Sequence, residues 1–184
     1  MKLAVLFPGI GYTQDKPLLY IAGRLFKERG YEIINIGYHD LPKMVIGDPR
    51  VGRQVADVAY ACACEQLSAV DFGAYEDIVF AGKSMGTIIS DVYVTNNKLP
   101  ARQIWYTPVE ATFQFKMNKD AIGFLGDNDP WSVFADVCKL AKRDGIKLYT
   151  YPGRDHSLET GNMVGDIDTL KDVAVKTADF IDRK

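Results

Sequence analysis

A serine stands at the centre of the pentapeptide Gly82-Lys83-Ser84-Met85-Gly86, which follows a short apolar run and opens a helical pattern. A G-x-S-x-G pattern between a strand and a helix is typical of a nucleophilic serine held on a sharp turn. The glycines are needed because neighbouring backbone comes too close to these positions for a side chain. The first amides of the following helix can then face negative charge that develops on a substrate. The pentapeptide therefore predicts Ser84 as a nucleophile for acyl chemistry.

A serine hydroxyl needs a base, and the chain has two histidines, His39 and His156. His156 lies in the segment Gly153-Arg154-Asp155-His156, just after the last apolar run of strand length. Residues that follow parallel strands meet at one edge of the sheet, so His156 can reach a serine that follows an inner strand. We predict His156 as the base. His39 precedes the serine in the chain and is expected at most to border the pocket.

The base in turn needs a carboxylate that holds its tautomer and stabilises its cation. Asp127 and Asp129 lie in the turn Gly126–Trp131, and Glu110 follows the preceding strand candidate. The chain order serine, acid, histidine favours Asp129, although the same residue could cap the next helix. Asp127 is the second candidate and Glu110 the third.

Two backbone donors are needed for the oxyanion that forms when a carbonyl is attacked. The predicted first donor is the N–H of Met85, directly after the nucleophile. The second is expected from the turn Pro8-Gly9-Ile10-Gly11 after the first strand, where glycine lets the backbone approach the reacting carbonyl. We prefer the amide of Ile10 and place that of Gly11 second.

The remaining substrate contacts are assigned to three short loops, Ile10–Gln14, His39–Gly52 and Glu110–Met117. Apolar and aromatic side chains in or beside these loops could line an acyl pocket: Tyr12, Tyr38, Met44, Phe113, Phe115 and Trp131. Four residues are predicted to bind substrate: Gly11, Tyr12, Glu110 and Trp131. Lys83, beside the nucleophile, is expected to be solvated, with Glu110 as its alternative partner.

The nucleophile turn and the turn after the first strand each contain part of a phosphate-binding motif, but neither motif is complete. Gly82-Lys83-Ser84 could end a P-loop, but Asp77 occupies the position of the glycine that this motif needs five residues earlier. Gly9-Ile10-Gly11 could begin a dinucleotide fingerprint, but Gln14 stands where the third glycine belongs. We therefore predict no cofactor.

These residues follow six apolar runs of strand length, each stopped by turn residues: Lys2–Phe7, Glu32–Gly37, Asp77–Ala81, Gln103–Thr107, Ala121–Leu125 and Lys147–Tyr151. Helical patterns separate the runs, and the first helix is expected to be capped by Asp15 and closed by Gly30. Continuous apolar strands alternating with helices predict a three-layer, doubly wound α/β fold with about six mainly parallel strands.

The composition favours one globular domain over residues 1–184, with 47% apolar and 25% charged residues. A net charge of −2 argues against nucleic acid and anionic membrane as partners. Three cysteines, with Cys62 and Cys64 only two residues apart, form neither a disulfide framework nor a zinc spacing. We therefore predict no metal site and a cytoplasmic location, and no apolar stretch is long enough for a membrane span.

The turns Gly82–Gly86, Gly126–Asp129 and Gly153–His156 together resemble the α/β-hydrolase family, in the family's order and over nearly the whole chain. The resemblance implies the family's fold and a serine, acid and histidine triad. It also implies Asp129 as the acid, since the family's aspartate typically lies three residues after the glycine that ends its strand.

Three departures from the family pattern accompany this resemblance. The loop after the first strand begins Pro8-Gly9 where the family usually has His-Gly, and only Val109–Asp120 lies where the family usually inserts a lid. The family's two N-terminal antiparallel strands have no room before Leu3. We therefore expect a trimmed α/β-hydrolase fold without a lid domain.

These observations predict a small serine hydrolase that cleaves an ester or similar acyl bond of a small molecule. The same triad would also serve a thioesterase or an acyltransferase. A non-catalytic binding protein on a hydrolase scaffold is the other alternative, against which the intact nucleophile, base and acid argue. The acyl chain length, the alcohol and the oligomeric state do not follow from the sequence.

Overall fold

The computed structural model describes residues 1–44, 48–115 and 120–183. Six strands are present: β1 (Lys2–Phe7), β2 (Tyr31–Asn35), β3 (Asp77–Lys83), β4 (Arg102–Tyr106), β5 (Ala121–Gly126) and β6 (Lys147–Tyr151). Five α-helices accompany them: α1 (Pro17–Glu28), α2 (Pro49–Leu67), α3 (Met85–Asn97), α4 (Phe134–Arg143) and α5 (Met163–Asp182). Short 3-10 turns lie at Phe72–Ala74 and Glu110–Phe113.

The strands form one sheet in the order β2-β1-β3-β4-β5-β6, and every neighbouring pair is parallel. The chain leaves β1 for β2 on one side and returns to β3 on the other side. Such a reversal opens a crevice beyond the carboxyl ends of the two adjacent strands β1 and β3, where α/β proteins bind ligands. The predicted α/β sheet is confirmed, and its crevice lies at the ends of β1 and β3.

Alternation along the strands divides the core between the two faces of the sheet. Ala4 and Leu6 of β1 pack with α1 and α5, whereas Leu3, Val5 and Phe7 pack with α2 and α3. Helix α4 packs on the same face as α2 and α3. All three layers of the predicted architecture are therefore present, and the described part of the segment between β4 and β5 contains no lid.

Three local predictions need correction. Helix α1 begins at Pro17 after Lys16, so the predicted cap by Asp15 is wrong; the N–H of Leu18 in the first turn donates instead to the hydroxyl of Tyr12 (3.0 Å). Strand β2 ends at Asn35 and not at Gly37 as predicted, because the side-chain amide of Gln66 forms hydrogen bonds with both the N–H and the C=O of Gly37. Strand β3 extends to Lys83, where it still pairs with β4.

Two further expectations concern the helices: how α1 ends, and whether any helix could cross a membrane. Gly30 closes α1 with φ of 74°, as predicted for a left-handed residue after a helix. Among the described residues, no helix is both long and apolar enough to cross a membrane.

Candidate active site

Ser84 occupies a strained turn directly between β3 and α3. Its φ of 54° and ψ of −120° are unusual for any residue with a side chain. The Ser84 N–H donates to the carbonyl of Tyr106 (2.9 Å), and its own carbonyl accepts from the N–H (2.8 Å) and the hydroxyl (2.6 Å) of Thr87. The first turn of α3 and the neighbouring strand therefore hold the serine in this conformation.

The two glycines of the pentapeptide are required by close backbone approach. A Cβ on Gly82 would lie 2.5 Å from the carbonyl oxygen of Gly86, and one on Gly86 would lie 2.1 Å from that of Phe7. Neither contact is sterically allowed. The packing reason given for the G-x-S-x-G pattern therefore applies to this turn.

Ser84, His156 and Asp129 come together at the carboxyl ends of β3, β6 and β5. The Oγ of Ser84 lies 2.7 Å from Nε2 of His156, and Nδ1 of His156 lies 2.6 Å from Oδ2 of Asp129. Because a carboxylate only accepts, Nδ1–H donates to Asp129 and Nε2 is left to accept the serine proton. The Asp129 side chain is fully buried and that of His156 is 16% exposed, so this chain of hydrogen bonds is shielded from bulk water.

The other carboxylates considered as the acid point elsewhere. Asp127 is exposed and accepts the N–H of Gly153 (2.5 Å), and Glu110 accepts the N–H of Val133 (2.6 Å). The second oxygen of Asp129 accepts the N–H of Trp131 (2.8 Å). Since α4 begins at Phe134, Asp129 caps a turn before the helix and not the helix itself. His39 is exposed beside Asp40 and lies outside the cavity that contains Ser84.

The loop that carries His156 is fixed by two residues that the sequence analysis did not single out for this role. The carboxylate of Asp155 accepts the N–H of Ser157 (2.7 Å) and of Glu159 (3.0 Å). A Cβ on Gly126, at the end of β5, would lie 2.0 Å from the carbonyl oxygen of Arg154. The only signal in the sequence was a glycine ending a strand, which does not reveal that another loop crosses it.

Both residues predicted to supply oxyanion donors, Ile10 and Met85, line the cavity that contains Ser84. Met85 is the first residue of α3, where a helix offers no internal acceptor for the N–H. Within the oxyanion loop, Pro8–Tyr12, the amides of Gly9 and Tyr12 are paired with each other's carbonyls, while the N–H of Ile10 donates to no described residue. A Cβ on Gly9 would lie 3.3 Å from Cβ of Ser84, which shows how closely the loop passes the serine.

Lys83 is buried, so the expectation that it is solvated is wrong. Its side chain is 2% exposed, and Nζ lies 4.9 Å from the centroid of the Tyr12 ring. In a strand, alternate residues face opposite sides; Lys83 therefore points away from α2 and α3, under the oxyanion loop. Among the described residues it forms no ion pair with Glu110, whose carboxylate binds Val133 instead.

Burial changes the acidity of this lysine. It lowers the pKa of Lys83 from its usual 10.5 to about 7, because an ammonium loses its hydration when it leaves water. The negative charges of Asp129, Asp155 and Glu159 oppose that shift only in part. A titratable group thus lies directly beneath the nucleophile turn.

A cavity of about 1090 Å³ opens on Ser84 and is lined by all four residues predicted to bind substrate: Gly11, Tyr12, Glu110 and Trp131. Met44 and Phe115 also line it. Tyr38 and Phe113 do not, since both pack into the core under their loops. The predicted loops include residues 45–47 and 116–117, which lie outside the described residues.

Around this cavity, and over the rest of the described ranges, no three histidine, cysteine, aspartate or glutamate side chains are grouped so that they could hold a metal ion.

Comparison with known proteins gives similarity in structure only. No protein-family model and no curated protein matches the sequence. A protein of unknown function from Agrobacterium tumefaciens, described as a candidate alpha/beta hydrolase, superposes with a TM-score of 0.71 at 18% identity, covering 99% of this chain and 84% of the other.

Two further structures are similar. A serine hydrolase without a lid from Xanthomonas campestris gives a TM-score of 0.64 at 13% identity, covering 100% of this chain and 84% of its own. Est1E from Butyrivibrio proteoclasticus with bound ferulic acid gives 0.66 at 13% identity, covering 96% and 89%. The chain therefore has the α/β-hydrolase fold, in a form without a lid in its described residues.

Proposed function

We propose that the protein is a serine hydrolase that cleaves a carboxylic ester or similar acyl bond of a small molecule. The observation that carries the proposal is the position of His156, which is within hydrogen-bond distance of both Ser84 and Asp129. The fold, shared with a structure named as a serine hydrolase without a lid, supports the same general class.

In the acylation step, the Ser84 hydroxyl gives its proton to Nε2 of His156 as Oγ forms a bond to the substrate carbonyl carbon. The carbonyl oxygen becomes an oxyanion, which the amides of Met85 and Ile10 stabilise by hydrogen bonds. Asp129 stabilises the imidazolium and holds its orientation. The bond to the leaving oxygen then breaks, and Nε2–H of His156 protonates that oxygen.

In the deacylation step, a water molecule takes the place of the leaving alcohol. His156 accepts a proton from this water, the hydroxide oxygen bonds to the acyl carbon, and Ser84 Oγ leaves with the proton from Nε2. The products are the free acid and the regenerated serine. A thiol ester, or transfer to an alcohol in place of water, would use the same groups.

The conformation of Ser84 argues against the non-catalytic alternative. A residue with a side chain at φ of 54° and ψ of −120° costs about 1–3 kcal/mol. A protein that only binds a ligand gains nothing from keeping a serine in that conformation beside a correctly oriented histidine. A nucleophile, by contrast, must stand clear of the sheet and face the substrate cavity, which Ser84 lines.

The test is covalent labelling by a fluorophosphonate probe together with turnover of p-nitrophenyl butanoate. We expect one label on Ser84, and we expect Ser84→Ala to lose both labelling and turnover while it unfolds as cooperatively as the wild type. Labelling that persists in Ser84→Ala would contradict the proposal.

We also propose a small-molecule substrate and no nucleic acid or membrane partner, on the charge balance already described. The free thiols of Cys62, Cys64 and Cys138 support a reducing compartment such as the cytoplasm. The test uses protein from its native source, unfolded without prior reduction. We expect all three cysteine thiols to react with a thiol reagent.

A further inference from the structure

The cavity at Ser84 extends away from the nucleophile between α2 and α3. Ala56 and Tyr60 lie four residues apart on one side of α2, and Ile88 and Val92 lie four residues apart on α3. All four line the cavity that contains Ser84, and all are only partly buried. We call the space that these residues line the acyl groove. Its walls are apolar or aromatic, and it begins at the nucleophile.

A solvent-exposed hydrogen bond between the two helices marks the far end of the acyl groove. Asn96 Nδ2 donates to the Tyr60 hydroxyl (3.0 Å), which joins α3 to α2 one helical turn beyond Val92. The polar side chains of α2 that also line the cavity, Arg53 and Asp57, are exposed and can remain hydrated at its rim. An apolar group that enters from Ser84 therefore meets apolar walls and then the Tyr60 side chain.

The direction of the groove fixes which part of the substrate it can hold. His156 must protonate the leaving oxygen, so the leaving group lies on the side of His156. That histidine follows β6, at one edge of the sheet, whereas α2 follows β2, at the opposite edge. The acyl part of the substrate points away from the leaving group. It therefore lies toward α2 and α3.

The length of the acyl groove determines the length of the acyl chain that it can hold. Val92 lies seven residues beyond Met85, which at 1.5 Å per residue is about 10 Å along α3. An extended hydrocarbon chain advances roughly 1.25 Å per carbon, given a carbon–carbon bond of about 1.5 Å. About eight carbons therefore fill the distance between the nucleophile and Val92, the last residue of α3 that lines the cavity.

We propose that the acyl groove binds a straight, saturated acyl chain of about eight carbons, and that the leaving alcohol lies on the open side beside His156 and Trp131. The proposal rests on the serine hydrolase function proposed above. It makes Val92, Ile88 and Ala56 determinants of chain length. It makes Tyr60 the residue that ends the groove.

The experiment measures kcat/KM for p-nitrophenyl acetate, butanoate, hexanoate, octanoate and dodecanoate, each below its micellar concentration. Each buried methylene should raise kcat/KM by about threefold to fourfold. The octanoate has four more methylenes than the butanoate and should therefore exceed it by about 80-fold to 250-fold, and the dodecanoate should fall below the octanoate.

Two variants narrow the groove from opposite walls, Val92→Phe on α3 and Ala56→Leu on α2. Each should lower the ratio of octanoate to acetate kcat/KM by at least tenfold. Val175→Phe is the matched control, because Val175 is exposed on α5, on the opposite face of the sheet, and the same substitution there should leave all five rates unchanged. Tyr60→Ala should raise the ratio of dodecanoate to octanoate at least threefold.

The outcomes separate the two proposals. No turnover of any ester and no fluorophosphonate label on Ser84 would overturn the serine hydrolase function, and the acyl groove with it. Labelling and turnover with a preference for acetate, or an octanoate-to-acetate ratio that neither groove variant lowers, would overturn the acyl groove alone. An unchanged dodecanoate ratio in Tyr60→Ala would overturn the role of Tyr60 as the end of the groove.

Discussion

Replacement of Lys83 by methionine removes a charge from a buried site and keeps an unbranched side chain of similar length. Lys83 lies 2% exposed under the oxyanion loop, with its ammonium over the Tyr12 ring. Burial lowers the pKa of Lys83 to about 7. The unfolded chain therefore binds this proton more tightly than the folded protein does. We expect the variant to differ from the wild type in how its stability depends on pH.

The magnitude follows from the two affinities for the proton. With a pKa of about 7 in the folded protein and 10.5 when unfolded, Lys83 costs about 4 kcal/mol of unfolding free energy at pH 7 and about 2 kcal/mol at pH 9. The cost is complete below about pH 7 and disappears above 10.5, so the wild type gains stability from Lys83 as the pH rises through this window. Loss of the ammonium–ring contact offsets about 1 kcal/mol of the variant's gain.

The assay is urea unfolding of both proteins at pH 6, 7, 8 and 9. The stability of Lys83→Met relative to wild type should fall by about 2 kcal/mol between pH 7 and pH 9. Lys147→Met is the control, because its ammonium also lies 4.9 Å from the centroid of a tyrosine ring, that of Tyr149, but the residue is exposed. A difference between Lys83→Met and wild type that stays constant over this range would refute the reasoning.

Three further predictions concern the nucleophile, base and acid. Asp129→Asn should lower kcat by about 10⁴, whereas Asp127→Asn should change it little because an amide oxygen can still accept the same hydrogen bond; steady-state kinetics with the reverse result would move the acid to Asp127. His156→Gln should lose most of the kcat/KM because it removes the group that accepts the Ser84 proton, whereas His39→Gln should keep it; loss of kcat/KM in His39→Gln with His156→Gln still active would contradict the choice. Ser84→Gly should lose turnover but gain about 1 kcal/mol of unfolding free energy, since glycine adopts this backbone conformation without strain; a less stable variant would contradict the strain.

The order of elements and the nucleophile turn followed from the sequence because both depend on local pattern. Apolar runs of strand length alternate with helical patterns, and that alternation specifies a covered parallel sheet. The nucleophile turn Gly82–Gly86 could be identified for the same reason. Its glycines are required by close contacts with residues a few positions away and with the adjacent strand. His156 could be chosen because parallel strands bring their carboxyl ends to one edge; Asp129 was favoured by the chain order and by the resemblance to the α/β-hydrolase family.

The environment of Lys83 and the groove between α2 and α3 were decided only by the tertiary structure. Lys83 is charged and stands next to a predicted turn, and nothing local indicates that β3 continues through it or that Tyr12 covers it from the loop after β1. The groove depends on how two helices lie against each other, which no pattern within either helix encodes. The requirement for glycine at position 126 was also decided by the tertiary structure. A side chain there would collide with the backbone of Arg154, which lies on a loop that follows a different strand. Contacts between segments far apart in the chain leave no local signal in the residues that make them, so burial, charge state and cavity shape came only from the folded arrangement.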